Sequence, residues 1–333
     1  MDPILIELTR GTHVESAHRG AAVVTDANGK ILFSVGDVAH PIFSRSAVKA
    51  LLALPLVETG AADRLGLTEA EIALACSSHN GEAFHVEGAL SMLRKAGRDA
   101  SVLECGTQWP GHEAALHALV RSGEPASALH NNCSGKHSGF ICLACDRGDD
   151  PTGYVKPDHP TMRQITAALA DMTSTTLDER NYAVDGCSIP TYAVPLRALA
   201  TAFARFGSGE TLSADRARAA ARIRAAVAAH PEMVAGTGRF DTKLMGETGA
   251  RVFVKSGAEG VFCGAIPELG LGIAVKCDDG AGRAAQVAMA VLVKRFLPSN
   301  GQPTPVLEQL TAPKLTNWNR IHVGDIRATA ALG

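Results

Sequence analysis

The chain has 333 residues, 46% of them hydrophobic and 20% charged, with a formal net charge of −2 and a pI near 6.6. A chain of this size and make-up buries enough apolar surface to fold without disulfide staples, and its charge balance offers no electrostatic footprint for nucleic acid or an anionic membrane. Its apolar runs are all broken well before the ~18 residues a membrane span needs. The opening Met1-Asp2-Pro3-Ile4-Leu5-Ile6-Glu7 has neither the basic part nor the long apolar part of a signal peptide, so a cytoplasmic location is expected. In that compartment the eight cysteines are expected to be buried, metal-bound or reactive, not paired as disulfides.

In chain order, residues 4–34 read as strands, with the hairpin signal Asp26-Ala27-Asn28-Gly29 between Ala21-Ala22-Val23-Val24 and Ile31-Leu32-Phe33-Ser34. A helix is expected from about Ser46 through Leu54. Thr68-Glu69-Ala70-Glu71 is a capping box that opens the next one. Apolar residues then recur with helical spacing over 84–97, 112–122, 134–146, 160–172, 194–206 and 213–229. The last third changes period: Arg251–Lys255, Gly260–Cys263 and Gly270–Lys276 read as short strands, a helix follows at about 282–296, and residues after about 300 read as an irregular tail. Strands at both ends of a mainly helical middle portion, about 46–230, predict an α+β fold. Its terminal segments would share one antiparallel sheet packed with helices. No repeat or linker marks a boundary, so residues 1–333 are read as a single domain.

Three motifs stand in a chemically meaningful order: Ser46-Ala47-Val48-Lys49 at a helix start, Ser78-His79-Asn80 after a helix, and Lys255-Ser256-Gly257 at a strand end. Penicillin-recognising enzymes use an S-x-x-K, S-x-N and K-[ST]-G trio of this kind. A serine hydroxyl is a weak nucleophile until a base removes its proton. A lysine one helical turn on shares its face and can be that base once burial or a neighbouring cation lowers its pKa. Lys255 is the candidate second cation, and Ser78 a candidate proton relay. A single S-x-x-K occurs by chance in most chains of this length, and Lys255-Ser256-Gly257 alone is an ordinary strand end and turn. The weight lies in the combination and its order.

Two cysteine clusters follow. Asn131-Asn132-Cys133-Ser134-Gly135-Lys136-His137 precedes a helix whose N-terminal dipole favours a thiolate at Cys133, and Asp185-Gly186-Cys187-Ser188-Ile189-Pro190 is a loop. Two thiolates could hold zinc if brought together, and on residue type alone His137 is a more usual further ligand than Lys136. Cys142 and Cys145 form a C-x-x-C inside an apolar helical run and read as small residues on one buried face. Cys76, Cys105, Cys263 and Cys277 read as core. Arg216, Arg218, Arg222 and Arg224 read as a solvated helix surface or a subunit contact, in preference to a nucleic-acid site.

Taken together, Arg10-Gly11, Val14-Glu15-Ser16, His18-Arg19, Ser44–Lys49, Cys76–His79, Asn132–His137, Asp185–Cys187, His230–Gly236 and Lys255–Gly260 resemble the rhizobial-type (class 3) L-asparaginases, and most closely their constitutive, thermostable branch. The resemblance implies a serine β-lactamase-like fold, a homodimer, and hydrolysis of L-asparagine to L-aspartate and ammonia. It also implies two Ser–Lys pairs, Ser46 with Lys49 and Ser78 with Lys255, and one zinc per chain held by Cys133, Lys136 and Cys187, which displaces the preference for His137. The thermolabile branch has a further cysteine where this chain has Asp241. On this reading Ser46 attacks, an acyl-enzyme forms, and Arg45, His137 and Asp185 stand on the substrate side. Arg45 is the candidate for the α-carboxylate and Asp185 for the α-ammonium. A glutaminase, a DD-peptidase or β-lactamase, and a non-catalytic zinc protein are the competing readings. The absence of an export signal argues against the peptidase, whose substrates lie outside the cytosol.

Overall fold

The computed structural model describes residues 1–299 and 304–333. It consists of two compact units, each assembled from separate stretches of chain: residues 1–47, 193–211 and 243–333 form the first, and residues 48–192 and 212–242 the second.

The first unit is built on an antiparallel sheet. Its strands are β1 (Ile4–Arg10), β2 (His13–Asp26), β3 (Ile31–Val35), β7 (Phe253–Ser256), β8 (Val261–Ile266), β9 (Leu271–Cys277), β10 (Lys314–Thr316) and β11 (His322–Ala328), with the short β4 (Pro41–Phe43), β5 (Tyr182–Val184) and β6 (Pro190–Pro195) elsewhere. The order is β10-β11-β1-β2-β9-β8-β7, with β3 also paired to β2. Both chain ends therefore contribute to one sheet, as the terminal strand patterns predict. β1 pairs β11 through Ile6↔Ala328, and β2 pairs β9 through Val23↔Ala274. The β2–β3 turn closes as expected: the Asp26 carboxylate accepts the Asn28 and Lys30 amides, each at 2.9 Å.

Every residue of β8 is buried, as a strand covered on both faces requires. Gly272 of β9 admits the helix Leu196–Ser208, since a Cβ there would lie 1.9 Å from Ala200 O, and Ala265, paired with Gly272, meets Gly207 of that helix. Gly264, one position along and so on the other face, meets Met289 of the helix Gly282–Phe296. The expected irregular tail is a correction. Residues 300–303 lie outside the described residues, but beyond them come a helix, Pro305–Thr311, and the strands β10 and β11.

The second unit is mainly helical. Its axis is the helix Ser134–Asp146, buried from Ser134 through Ala144, the pattern of a helix surrounded by others. Gly135 and Gly139 lie against Leu74, Ala75, Leu56 and Met92, which brings the helices Glu69–Ala75, Leu54–Glu58 and Ala83–Lys95 onto it. The Thr68–Glu71 capping box forms as expected. The helix expected from Ser46 to Leu54 is instead a 3-10 turn, Arg45–Val48, then Lys49–Leu52, then a new start at Leu54 with Pro55 in its first turn, a position where proline's missing N–H costs nothing. Arg216 and Arg222 are spent on the unit itself, pairing with Glu58 at 3.0 Å and with Asp63 at 2.7 Å. In the C-x-x-C, Cys142 is buried but Cys145 is only half-buried and accepts from Arg98 Nε at 3.5 Å, so the two do not share one buried face. Cys76, Cys105, Cys263 and Cys277 are buried as expected.

Candidate active site

Within the first unit, the chain from Phe43 turns into the 3-10 segment that carries Arg45 and Ser46. Arg45 has φ +47°, a left-handed conformation that a non-glycine residue adopts only where its surroundings hold it. Ser46 is half-buried. The end of β7 lies against this turn. Gly257 leaves the room, because a Cβ there would come within 3.1 Å of Ala47 N and 3.3 Å of Ser44 O. The first and third motifs thus meet in one unit, with Lys255 fully buried and its ammonium donating to Ser256 O at 2.7 Å.

Within the second unit, Lys49 begins the first full helical turn and is 1% exposed. Its Nζ donates to Ser77 O at 2.5 Å, Ser78 Oγ at 2.8 Å and Cys133 Sγ at 3.1 Å. Burial is the main cause that lowers its pKa, and the Lys136 ammonium lowers it further, against the cysteine sulfurs. The Ser78 loop is held by backbone bonds on two sides: Ser78 N donates to Val234 O at 2.8 Å and His79 N to Asn132 O at 3.0 Å. The His79 ring, neutral because burial and His85 lower its pKa, accepts Gly81 N–H at Nδ1 and meets Ser134 Oγ at 2.9 Å through Nε2. That serine's hydroxyl donates to Leu129 O at 2.8 Å.

The two cysteine clusters also come together. Cys133 is the N-cap of the helix Ser134–Asp146, and its own N–H is taken by Asn131 Oδ1 at 2.9 Å. A hydrogen bond from Cys187 holds the Cys133 pKa well below the ordinary thiol value, helped by the Lys136 and Lys49 charges and opposed by burial. Cys187 keeps its proton. The Lys136 Nζ donates to Cys187 Sγ at 3.0 Å. Burial disfavours that ammonium, but the two sulfurs outweigh burial and its pKa rises. Asp185 is half-buried in a tight loop, with its carboxylate 3.7 Å from Cys187 Sγ. His137 is fully buried, and burial together with Lys136 and Lys49 keeps it neutral.

Among the described residues, no group of three or more His, Cys, Asp or Glu side chains is placed to hold a metal. A mixed set of two thiols and one amine is nonetheless assembled, with Cys133 and Cys187 in hydrogen-bond contact and Lys136 on Cys187. That set fits a soft or borderline cation such as zinc once Lys136 gives up its proton. Among the sequence-predicted residues, Lys49, Ser78, Cys133, Lys136, His137, Asp185 and Cys187 lie in the second unit, and Arg45, Ser46 and Lys255 in the first. Sequence reasoning missed Tyr154, whose hydroxyl lies 2.6 Å from His137 Nδ1, and Ser134 behind His79. Tyr154 sits among Gly153, Lys156 and Pro157, where nothing marks it as more than a turn residue.

The model of the family described as L-asparaginase II matches residues 6–328. A search of curated proteins gives no match. Among solved structures, the chain is similar to a β-lactamase from Mycobacterium bovis at 15% identity, over 80% of this chain and 89% of that one, with a TM-score of 0.41. It is similar to a mutant simvastatin synthase from Aspergillus terreus at 12% identity, over 78% and 86%, with a TM-score of 0.39. The third is Mglu in its tris and glutamate form, at 17% identity, over 91% of this chain and 65% of that one, with a TM-score of 0.39. Likenesses this loose carry no correspondence between individual residues.

Proposed function

The chain belongs to the L-asparaginase II family, and on that premise we propose that it hydrolyses L-asparagine to L-aspartate and ammonia through a serine–lysine mechanism. Ser46 Oγ attacks the side-chain amide carbon while the neutral Lys49 amine takes the hydroxyl proton. The C–N bond breaks, the departing nitrogen takes a proton by way of Ser78, and ammonia leaves an aspartyl ester on Ser46. Water then adds to the ester, returns the serine its proton and releases aspartate. The observation that carries this reading is Lys49, a buried amine with a lowered pKa in hydrogen-bond contact with Ser78.

Lys255, buried at the end of β7 beside the turn that carries Ser46, supplies positive charge to the same chemistry. Asparagine is a zwitterion. Arg45 is the partner proposed for its carboxylate, Asp185 for its ammonium, and His137 a further polar contact. Cys133, Lys136 and Cys187 are the residues that would hold zinc. A bound zinc would supply a fixed positive charge that orients the substrate or shapes its pocket, since the serine is already the nucleophile. The constitutive, thermostable rhizobial-type branch and a homodimer complete the reading, both supported by the motif resemblance.

The test is mass spectrometry of enzyme quenched during asparagine turnover. An aspartyl adduct on the peptide that carries Ser46 is expected. An adduct on another residue, or asparagine turnover undiminished in Ser46→Ala, overturns the assignment.

A further inference from the structure

Tyr154 is fully buried, and its phenol sits in a closed set of hydrogen bonds. Its oxygen accepts the Glu104 N–H at 3.0 Å and lies 2.6 Å from His137 Nδ1. The ring meets His137 edge-on, with centroids 5.4 Å apart. Glu104 is itself anchored, its carboxylate accepting Gly153 N–H at 2.7 Å. A phenol has one proton to give, and a buried donor left without an acceptor costs on the order of 1–3 kcal/mol. If His137 donated from Nδ1, the Tyr154 proton would have no acceptor among these partners. The phenol therefore donates to Nδ1, and burial keeps it protonated. A neutral imidazole that accepts at Nδ1 carries its proton at Nε2. Among the described residues, the buried His137 Nε2 atom has no hydrogen-bond partner. It is thus a donor fixed from behind by the phenol, on the turn next to Lys136, that no other described residue satisfies.

We propose that Tyr154 is a positioning residue that holds His137 in the Nε2–H tautomer, so that the neutral ring donates a hydrogen bond to an oxygen of the substrate. This rests on the asparagine reading for the identity of that substrate. An uncharged imidazole in such a place polarises a carbonyl or anchors a carboxylate without adding charge to a cluster that already contains two lysines. Its value depends on a single proton placement, which the phenol sets from behind, as outer hydrogen bonds commonly set the tautomer of a working histidine.

The experiment uses the full chain with 15N-labelled histidine, and His137 is assigned by the loss of its signals in His137→Gln. Long-range 1H–15N correlation in the resting protein should show a ring protonated at Nε2 alone. In Tyr154→Phe, which keeps the ring and removes only the hydroxyl, that single tautomer should give way to a mixture, and kcat/KM for asparagine should fall about tenfold or more. A wild-type ring protonated at Nδ1, or bare at Nε2 as metal ligation there would leave it, overturns the proposal. So does a Tyr154→Phe protein that keeps the wild-type tautomer, or one that loses it with kcat/KM unchanged. If Tyr154→Phe does not fold, the wild-type spectrum alone decides. Because the tautomer is read without turnover, a wild-type protein with the Nε2–H ring and no asparaginase activity counts against the function and not against the relay.

Discussion

Lys49 Nζ lies 2.8 Å from Ser78 Oγ, so the base of the first motif and the hydroxyl of the second share a hydrogen bond inside the helical unit. In the proposed mechanism Lys49 takes the Ser46 proton, and the Ser78 hydroxyl on the same amine is the route by which a proton reaches the departing nitrogen. Removing that hydroxyl should lower kcat by about 10²-fold, the typical worth of a positioned proton carrier. KM for asparagine should move much less in Ser78→Ala. Steady-state ammonia release measures both, and an unchanged kcat would make Ser78 a space-filling residue.

The nucleophile prediction is sharper. Ser46 lies in a half-buried turn, and replacing its hydroxyl by hydrogen changes little volume there. Ser46→Ala should therefore keep its circular dichroism spectrum and melting temperature while losing several orders of magnitude in kcat. A folded Ser46→Ala enzyme with near-normal ammonia release would exclude Ser46 as the attacking group.

Much of the architecture was legible because it depends on local periodicity. The helix 134–146 and the strands at both ends repeat their apolar residues at 3.6 or 2, and the Thr68–Glu71 box needs only four neighbouring residues. The strands β10 and β11 escaped notice because they have few buried side chains: β10 is an edge strand paired to β11, and β11 is held by backbone pairing to β1, more than three hundred positions away, as at Leu8↔Ile326. The site divides the same way. The S-x-x-K is local, and its residue types announce the chemistry. The contact of Lys49 with Cys133, and of Tyr154 with His137, depends on how the helix 134–146 is seated among its neighbours, and no local pattern encodes that.

The metal prediction tests the meeting of Cys133, Lys136 and Cys187. Protein purified without chelator should contain about one zinc per chain by elemental analysis, following the three-ligand assignment. Cys187→Ser should lose most of it, and removal of the metal should raise KM for asparagine more than it lowers kcat. Less than about a tenth of an equivalent in the wild type, with Cys187→Ser kinetically unchanged, would leave Lys136 and Cys187 as a buried hydrogen-bonded pair with no metal role.

A pH effect on stability follows from Glu71. Burial pushes its carboxyl pKa up, but the bonds from Lys95 at 2.6 Å, Thr68 N–H at 2.7 Å and Ser91 at 2.7 Å outweigh burial and hold it below the ordinary value. A carboxyl depressed in the folded state stabilises fully above its unfolded pKa of ~4.3, and that stability is lost as pH falls through the folded value. Glu71→Gln should cost about 2 kcal/mol at pH 7 from the charge-assisted hydrogen bonds, because glutamine can still accept the Thr68 N–H in the capping box. The difference should shrink towards zero at about pH 2. Urea midpoints of both proteins at the two pH values measure it, and a pH-independent gap would show that the charge contributes nothing.

The last prediction reverses a general rule at one position. Exchanging glycine for alanine inside a helix ordinarily stabilises by about 0.5–1 kcal/mol. Gly246, in the helix Phe240–Thr248, has open space where a Cβ would go, so Gly246→Ala should follow the rule. Gly135 should not. A Cβ there would lie 2.4 Å from Leu74 O and 2.5 Å from Leu74 Cγ, and a backbone carbonyl cannot rotate out of the way. The helix 134–146 would have to move off the helix 69–75, at a cost of about 1–3 kcal/mol beyond the propensity gain. The displacement falls on function as well, because Cys133, Lys136 and His137 lie at that helix start, while Ser77 and Ser78 follow just beyond the end of the helix that carries Leu74. Gly135→Ala should therefore lower both the melting temperature and asparagine turnover, while Gly246→Ala leaves turnover unchanged and raises the melting temperature slightly. Equal melting temperatures for the two variants would mean that the contact between these helices is looser than the close approach at Gly135 requires.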